Sequence, residues 1–242
     1  MRVTGVDACR GGWVAVSLEG SRLARRADRL VSVAVHGSLA RVLGQAAAAG
    51  PGWVVGIDMP LGLLDAGWRE ADRAARGLLG PRRSSVFAIP PQAVWAQPSY
   101  PAANQLCRDL TGQGFSVQAW GLRAKLLEAN QYREACGHPM YEVHPELAFA
   151  AMAGAPLAHS KHTAPGRELR RELLARAGIV LPDGPAGAGP RRPRTRPATP
   201  VTDTLDAAAV AWSAWRIATG QAVILPDCPQ QDTQGRDITI RY

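Results

Sequence analysis

The hydrophobic pattern at the start of the chain alternates short apolar runs with one longer helical segment. Residues 2–7 and 13–18 are apolar, rich in β-branched side chains and bounded by glycine turns, which predicts two strands of a β-meander and a further segment from Arg22. The alanine-rich residues 37–49 predict a helix, and residues 53–58 predict a short buried strand. The start of the chain therefore predicts a β-meander, a helix and a fourth strand.

The rest of the chain is predicted to be mainly helical. Helices are expected at residues 68–79, 100–111, 116–136, from Pro145, at 164–177 and at 203–219, with one more strand at 140–143. We interpret residues 60–139 as a helical insertion and the Pro-, Gly- and Arg-rich residues 182–201 as an extended loop. All of these elements are assigned to one domain covering residues 1–242.

Acidic residues close the first and fourth predicted strands, and two more stand at the start of the last helix. They are Asp7, Asp58, Asp203 and Asp206. A β-meander, a helix, a fourth strand and later α/β elements, with acids at these places, form the order of the ribonuclease H-like fold. We therefore predict an α/β protein in which helices flank a mixed central sheet.

Composition agrees with a globular α/β protein. Net charge and cysteine content add expectations about the partner and the location of the protein. The chain of 242 residues is 46% hydrophobic and 20% charged, as ordinary globular proteins are. Its net charge of +8 favours an anionic partner such as nucleic acid, although Arg191, Arg192, Arg194 and Arg196 supply half of that excess. The four cysteines form no C-x-x-C pair, and no signal sequence or membrane-spanning run is visible, so we expect a cytoplasmic protein.

The four aspartates are the leading candidates for chemistry. Carboxylates that converge from two strand ends and a helix terminus bind hard divalent cations, which serve phosphate chemistry. Asp203 and Asp206 are three residues apart, so they point to the same side of a helix. The structural alternatives are turn caps at Asp7 and Asp58 and a capping box at the helix start. The combination of all four favours the metal site.

Six motifs occur in one order along nearly the whole chain. They are Gly5-Val6-Asp7 with Gly11-Gly12-Trp13; Ile57-Asp58-Met59-Pro60-Leu61-Gly62; the segment from Asp72-Arg73 to Ser84-Ser85-Val86-Phe87; Glu142-Val143-His144-Pro145-Glu146; Lys161-His162-Thr163 with Gly166; and Asp203-Thr204-Leu205-Asp206-Ala207. Together they resemble a bacterial and archaeal family of predicted nucleases with the ribonuclease H fold, domain of unknown function 429. The resemblance implies a nuclease that depends on Mg²⁺ or Mn²⁺ and acts on DNA or RNA.

The same resemblance implies a role for each aspartate. Asp7 would bridge or anchor the metal ions from the first strand, and Asp58 would hold one from the fourth. Asp203 and Asp206 would complete the ligand shell. In nucleases of that fold, metal ions held by such acids activate water and stabilise the leaving oxygen. Junction-resolving nucleases of the fold also give precedent for a homodimer.

The run from Glu142 to Glu146 offers further acid–base groups. Glu142 and His144 would lie on one face of a strand, as an extra ligand and a general base. Glu146 stands in the first turn of a helix, where it is either an acid that compensates the helix dipole or a site residue. We prefer Glu146 to Glu142 as the site acid, and the alternative for His144 is a structural role.

Candidate phosphate-binding residues lie in three loops. They are Arg10, Arg82, Arg83, Ser84, Ser85 and Lys161. Guanidinium groups match phosphate oxygens, hydroxyls add hydrogen bonds, and a lysine adds a point charge. The alternative for each arginine is a solvated position on a charged loop.

Three classes of function are consistent with these patterns. The leading hypothesis is an enzyme, a divalent-metal-dependent nuclease. The second is an ATPase or small-molecule phosphotransferase of the actin-like type, although Ala8-Cys9-Arg10-Gly11-Gly12 lacks the hydroxyl-rich phosphate loop of those enzymes. The third is a non-catalytic binding protein that retains the fold. Metal titration separates the third class from the others, and nucleotide binding separates the second from the first.

Overall fold

Five strands form the central sheet, in the order β3-β2-β1-β4-β5. Their bounds are β1 (Arg2–Cys9), β2 (Gly12–Glu19), β3 (Leu30–His36), β4 (Val54–Ile57) and β5 (Met140–Glu142). β1, β2 and β3 are antiparallel, β4 is parallel to β1, and β5 is parallel to β4. This is the topology of a ribonuclease H-like fold, so the predicted fold class is confirmed.

The structure is a computed structural model that describes residues 1–21, 29–50, 52–135, 140–182 and 201–242. Three predicted features lie wholly or partly outside these residues. They are the start of the segment expected from Arg22, the helix end at Cys136, and the loop predicted at 182–201 except for residues 182 and 201. None of the helices in the described stretches is long and apolar enough to cross a membrane.

The helices follow the sequence-based expectations closely. Their bounds are α1 (Leu39–Ala47), α2 (Glu70–Leu79), α3 (Gln92–Trp95), α4 (Tyr100–Thr111), α5 (Val117–Gly121), α6 (Arg123–Ala135), α7 (Pro145–Ala153), α8 (Ala164–Arg176) and α9 (Val201–Ala218), with a 3-10 helix at Gly80–Ser85. The single helix predicted over residues 116–136 is divided at Leu122, next to Gly121. Glycine is a poor helix former, which accounts for a break at this position.

A C-terminal hairpin, β6 (Ile224–Gln231) with β7 (Asp237–Arg241), was not predicted. Pro226 and Pro229 lie within β6, and proline in an apolar run argues against a strand because it cannot donate to the ladder. β7 buries alternate residues, and Ile240 reaches the wall of the cavity described below.

The sheet is covered on both faces because its strands alternate between two apolar sets. Val6 and Trp13 belong to the core on one face, whereas Val3 and Val14 belong to the core formed with α9. Glu128, in α6, accepts hydrogen bonds from the Trp13 indole at 3.1 Å and from the first backbone N–H of α1 at 2.7 Å. These two hydrogen bonds fix α6 to β2 and to the start of α1.

Candidate active site

Asp7 and Asp58 lie side by side where the parallel pairing of β1 and β4 ends, although β1 itself continues to Cys9, beyond the end predicted at Asp7. The register of β1 and β4 pairs Val6 with Ile57, and the backbone N–H of Asp58 donates to the Val6 carbonyl at 2.8 Å. Each aspartate follows its paired residue directly, so the ladder itself brings the two carboxylates together. No hydrogen bond or ion pair reaches either carboxylate from the described residues.

Helix α9 brings Asp206 to the same place. The helix crosses β1 at Gly5, where an added Cβ would lie 2.2 Å from the Ala207 carbonyl oxygen. An alanine at this position would therefore push the helix off the sheet. Asp206 precedes Ala207 in the chain and is 1% exposed. Asp203 lies one turn earlier, half-buried, and accepts a hydrogen bond from the Thr202 hydroxyl at 3.2 Å.

Burial and mutual repulsion raise the pKa values of these acids. Desolvation is the main cause for Asp7, whose pKa lies well above its usual range, and the charges of Asp58 and Asp206 add to it. Desolvation followed by the charge of Asp206 raises the pKa of Asp58 to about 7. Burial also raises the pKa of Asp203. Carboxylates that repel one another in this way favour a bound cation.

Lys161 forms an ion pair with one of these acids, Asp206. Its Nζ donates a 2.6 Å hydrogen bond to Oδ2 of Asp206. Burial acts to lower the pKa of the ammonium, but the carboxylates of Asp206, Asp58 and Asp7 outweigh it and raise that pKa above its usual value. Lys161 is therefore charged and faces the acidic cluster formed by Asp7, Asp58, Asp203 and Asp206.

Two buried carboxylate oxygens of residues that line the cavity have no hydrogen-bond partner among the described residues. They are Oδ1 of Asp206 and Oε2 of Glu146. The other oxygen of each carboxylate is paired with a cation: Asp206 with Lys161, and Glu146 with the buried Arg170 at 2.5 Å. An unpaired buried carboxylate oxygen is costly, and a divalent cation is the kind of partner that would satisfy both.

Glu142 has a different environment from Glu146, although both line the cavity. It is 6% exposed, accepts the Leu61 backbone N–H at 2.7 Å and forms a 2.5 Å ion pair with Arg69. Arg69 also lies 3.6 Å from Asp72, which accepts the backbone N–H of Ile89 at 3.0 Å. Glu142 and Asp72 therefore belong to a buried network that joins α2 to β5.

His144 is held by the loop that carries the two serines. Its Nε2 lies 3.1 Å from the carbonyl oxygen of Ser85, and a carbonyl only accepts, so Nε2 carries the hydrogen. Nδ1 is buried without a hydrogen-bond partner among the described residues. Burial lowers the pKa of the imidazole, and the Ser85 bond opposes this only partly. His144 is therefore neutral with a free lone pair on Nδ1.

These groups line one cavity of about 470 Å³. Its lining includes the following sequence-predicted candidates: Asp7, Asp58, Arg82, Ser84, Ser85, His144, Glu146, Lys161, Asp203 and Asp206. Arg82 donates to the carbonyl oxygens of Leu157 and Ala158, and so ties the 3-10 helix to the loop that carries Lys161. The exposed side chains of Arg10 and Arg83 are not part of the lining.

The comparisons with known proteins identify the family. The family described as "Protein of unknown function (DUF429)" matches residues 5–231. The chain belongs to the DUF429 family. No curated protein matches the chain. A Thermus thermophilus RuvC structure is similar to it, with 16% identity over 91% of this chain and 98% of that chain and a TM-score of 0.37.

The site of this DUF429 protein fits a divalent cation in its donor chemistry. All of the candidate ligands are hard carboxylate oxygens, as Mg²⁺ and Mn²⁺ prefer, and two of the oxygens lack partners. Within the described stretches, however, no three Asp, Glu, His or Cys side chains are arranged as a ligand set. A common ion would need these carboxylates to lie closer together than they do in this structure.

The sequence did not reveal three parts of this DUF429 site. The buried arginines Arg69 and Arg170 were not singled out, since only the fold shows that each faces a glutamate. The pairing of Lys161 with Asp206 joins residues 45 positions apart. The alternation in Asp237–Arg241 is a signal that would have predicted β7, and with it the place of Ile240.

Proposed function

We propose that this protein is a divalent-metal-dependent hydrolase of phosphodiesters, with nucleic acid as its substrate. One observation supports the proposal most directly. Asp206 and Glu146 each have a buried carboxylate oxygen without a hydrogen-bond partner in the described residues, and both residues line the same cavity as Asp7 and Asp58. Asp7, Asp58, Asp203 and Asp206 would hold Mg²⁺ or Mn²⁺, with the free oxygen of Glu146 beside them. When bound, such ions activate water and stabilise the leaving oxygen.

The chain's own residues supply the remaining functions of a hydrolase. His144 is one of the residues that line the cavity, and the free lone pair on its Nδ1 accepts the proton of the attacking water. Lys161 supplies a fixed positive charge beside the acids, where a phosphate would lie. Ser84, Ser85 and Arg82 orient the phosphate from the opposite loop. The oxygen of this water bonds to phosphorus, the bond between phosphorus and the leaving oxygen breaks, and the leaving alkoxide takes its proton from solvent.

A longer substrate would extend beyond the cavity. Arg10 and Arg83 are exposed outside its lining and would contact the phosphates of a flanking strand. The net charge of +8 agrees with a polyanionic partner. The homodimer expected from junction-resolving nucleases stays a prediction.

A second candidate function is favoured by the size of the cavity. A volume of about 470 Å³ lies within the range of sites that enclose small ligands, roughly 300–1,000 Å³. The same acids and the same histidine would then act on a small phosphorylated molecule. This candidate also covers the nucleotide hydrolysis or phosphoryl transfer considered from the sequence.

The test is a panel of labelled substrates incubated with Mg²⁺ or Mn²⁺. The panel contains single- and double-stranded DNA, RNA, an RNA–DNA hybrid, a four-way junction, ATP and a small chromogenic phosphodiester. Wild type is compared with Asp7→Asn and Asp206→Asn, and with the exposed Asp65→Asn as a matched control. We expect metal-dependent cleavage of a nucleic acid by wild type and Asp65→Asn, and its loss in the other two variants.

Three outcomes contradict the nuclease proposal. Hydrolysis of ATP or the small diester alone moves the function to the second candidate. Cleavage that persists in folded Asp7→Asn and Asp206→Asn excludes the acidic cluster as the site. The absence of any cleavage, with Mn²⁺ bound, favours a binding protein that retains the fold.

A further inference from the structure

The acidic cluster already contains a cation, the ammonium of Lys161. Its Nζ lies 2.6 Å from Asp206 Oδ2, and its side chain is 37% exposed, whereas that of Asp206 is 1% exposed. The charges of Asp58 and Asp7 also act on this ammonium. The charge of Lys161 therefore acts on all four aspartates, Asp203 included, and Lys161 is one of the residues that line the cavity.

The neighbouring acids leave few oxygens for two divalent ions. Asp72 and Glu142 share the buried Arg69, and Glu142 also accepts a backbone N–H. Glu146 gives one of its two oxygens to Arg170. Asp206 gives one of its two oxygens to Lys161. Two ions separated by about 3.5–4 Å need carboxylates that serve both of them, and the pairings of Asp206 and Glu146 take one oxygen from each of those two carboxylates.

We propose that Lys161 takes the place of one cation of a two-cation site, so that this protein binds a single divalent ion. The inference rests on the proposed function, because it concerns the metal of the same site. Asp7, Asp58, Asp203, Oδ1 of Asp206 and Oε2 of Glu146 remain available to that ion. The ammonium neutralises Oδ2 of Asp206 and repels a second divalent cation from this position.

The test counts the Mn²⁺ ions bound by the metal-stripped full chain without substrate. Isothermal titration calorimetry gives the stoichiometry, and electron paramagnetic resonance of free Mn²⁺ checks it. We expect one ion per chain in wild type and in Lys161→Arg, which keeps the charge. Lys161→Met removes the charge, frees Asp206 Oδ2 and is expected to bind two ions. Arg171→Met removes an exposed charge from α8, outside the cavity, and is expected to bind one.

The outcomes separate this inference from the proposed function. Two Mn²⁺ ions on the wild-type chain overturn the role of Lys161 and leave a metal-dependent hydrolase in place. One ion on both wild type and Lys161→Met also overturns it. No bound Mn²⁺ on wild type overturns both proposals. If Lys161→Met does not fold, Lys161→Gln replaces it as the neutral variant. The number of Mn²⁺ ions bound by wild type tests the inference even without either variant, because two ions would overturn it.

Discussion

Gly5 lies so close to α9 that a Cβ added to it would stand 2.1 Å from the backbone nitrogen of Ala211. The obstacle is backbone, which cannot rotate away as a side chain can. Gly56, on the neighbouring strand β4, is also close to the helix, with an added Cβ 3.0 Å from Val210. Gly5 and Gly56 thus allow α9 to lie close to β1 and β4, and this short distance between helix and sheet places Asp206 near Asp7 and Asp58.

This contact predicts that Gly5→Ala destabilises the protein. We expect the free energy of unfolding in urea to fall by about 3 kcal/mol, as overpacking against fixed backbone does. The control is Gly77→Ala in α2, where an added Cβ meets no atom within 4 Å. That variant should be more stable than wild type by up to about 1 kcal/mol, because alanine is the better helix former. Equal stability of Gly5→Ala and wild type would contradict the packing of α9.

A second prediction concerns the buried ion pair of Arg69. Arg69→Met leaves Glu142 and Asp72 as uncompensated buried charges, so we expect a loss of roughly 3–5 kcal/mol in the free energy of unfolding. The matched control is Arg73→Met, which breaks a 2.7 Å pair with Glu70 whose side chains are 70% and 43% exposed. The control should lose less than about 1 kcal/mol. Similar losses in the two variants would exclude a structural role for this network.

The sheet and most helices were predictable because local patterns determine them. The β-branched runs of β1 and β2, the alanine-rich α1 and the proline at the start of α7 each carry a signal within a few residues. The order of these elements was sufficient for the fold class. The hairpin β6–β7 was not predicted because Pro226 and Pro229 lie in its first strand and proline argues against a strand. This strand also pairs with β7 in an irregular register.

The site was predictable only in part. Asp7 and Asp58 directly follow the last residues of the parallel pairing between β1 and β4, so strand topology alone places them together. The environment of Glu142 and Glu146 was not predictable, because it depends on which arginine packs against each glutamate in the folded chain. Arg10, Arg82 and Arg83 have the same chemistry in the sequence, yet only Arg82 reaches the cavity wall. Such differences arise from packing between distant segments.

A third prediction follows from the raised pKa of Asp58, which burial and the charge of Asp206 move from 3.8 to about 7. The folded chain holds this proton more tightly than the unfolded chain, so its stabilising effect is complete below the unfolded pKa and is lost as the pH rises through the folded pKa. We expect metal-free wild type to lose stability between about pH 4 and about pH 7 relative to Asp58→Asn, by a few kcal/mol.

The measurement is urea denaturation in the presence of a chelator across this range. The control is Asp65→Asn, because Asp65 is exposed and lies outside the cavity. The free energy of unfolding of this variant should change with pH as that of wild type does. Parallel curves for wild type and Asp58→Asn would show that Asp58 is not held in a repulsive, desolvated site.

A fourth prediction concerns the protonation of His144. Because Nε2 donates to the Ser85 carbonyl and burial lowers the pKa of the ring, we expect the neutral Nε2–H tautomer at neutral pH, with protonation only at a lower pH than for an exposed histidine. Nitrogen-15 NMR of labelled histidine, assigned with His144→Gln, distinguishes the tautomers. A doubly protonated ring near neutral pH, or a hydrogen on Nδ1, would exclude His144 as a proton acceptor through Nδ1.

The most direct test of the metal site is a crystal structure of the full chain grown with Mn²⁺, with anomalous scattering recorded near the manganese edge. The acidic cluster predicts an anomalous peak within ligand distance of Asp7 and Asp58, in contact with the free oxygen of Asp206. The same peak should be absent in Asp7→Asn crystals grown under the same conditions. No peak at this cluster with saturating Mn²⁺, while Asp206 still pairs with Lys161, would contradict the metal centre on which the proposed hydrolase depends.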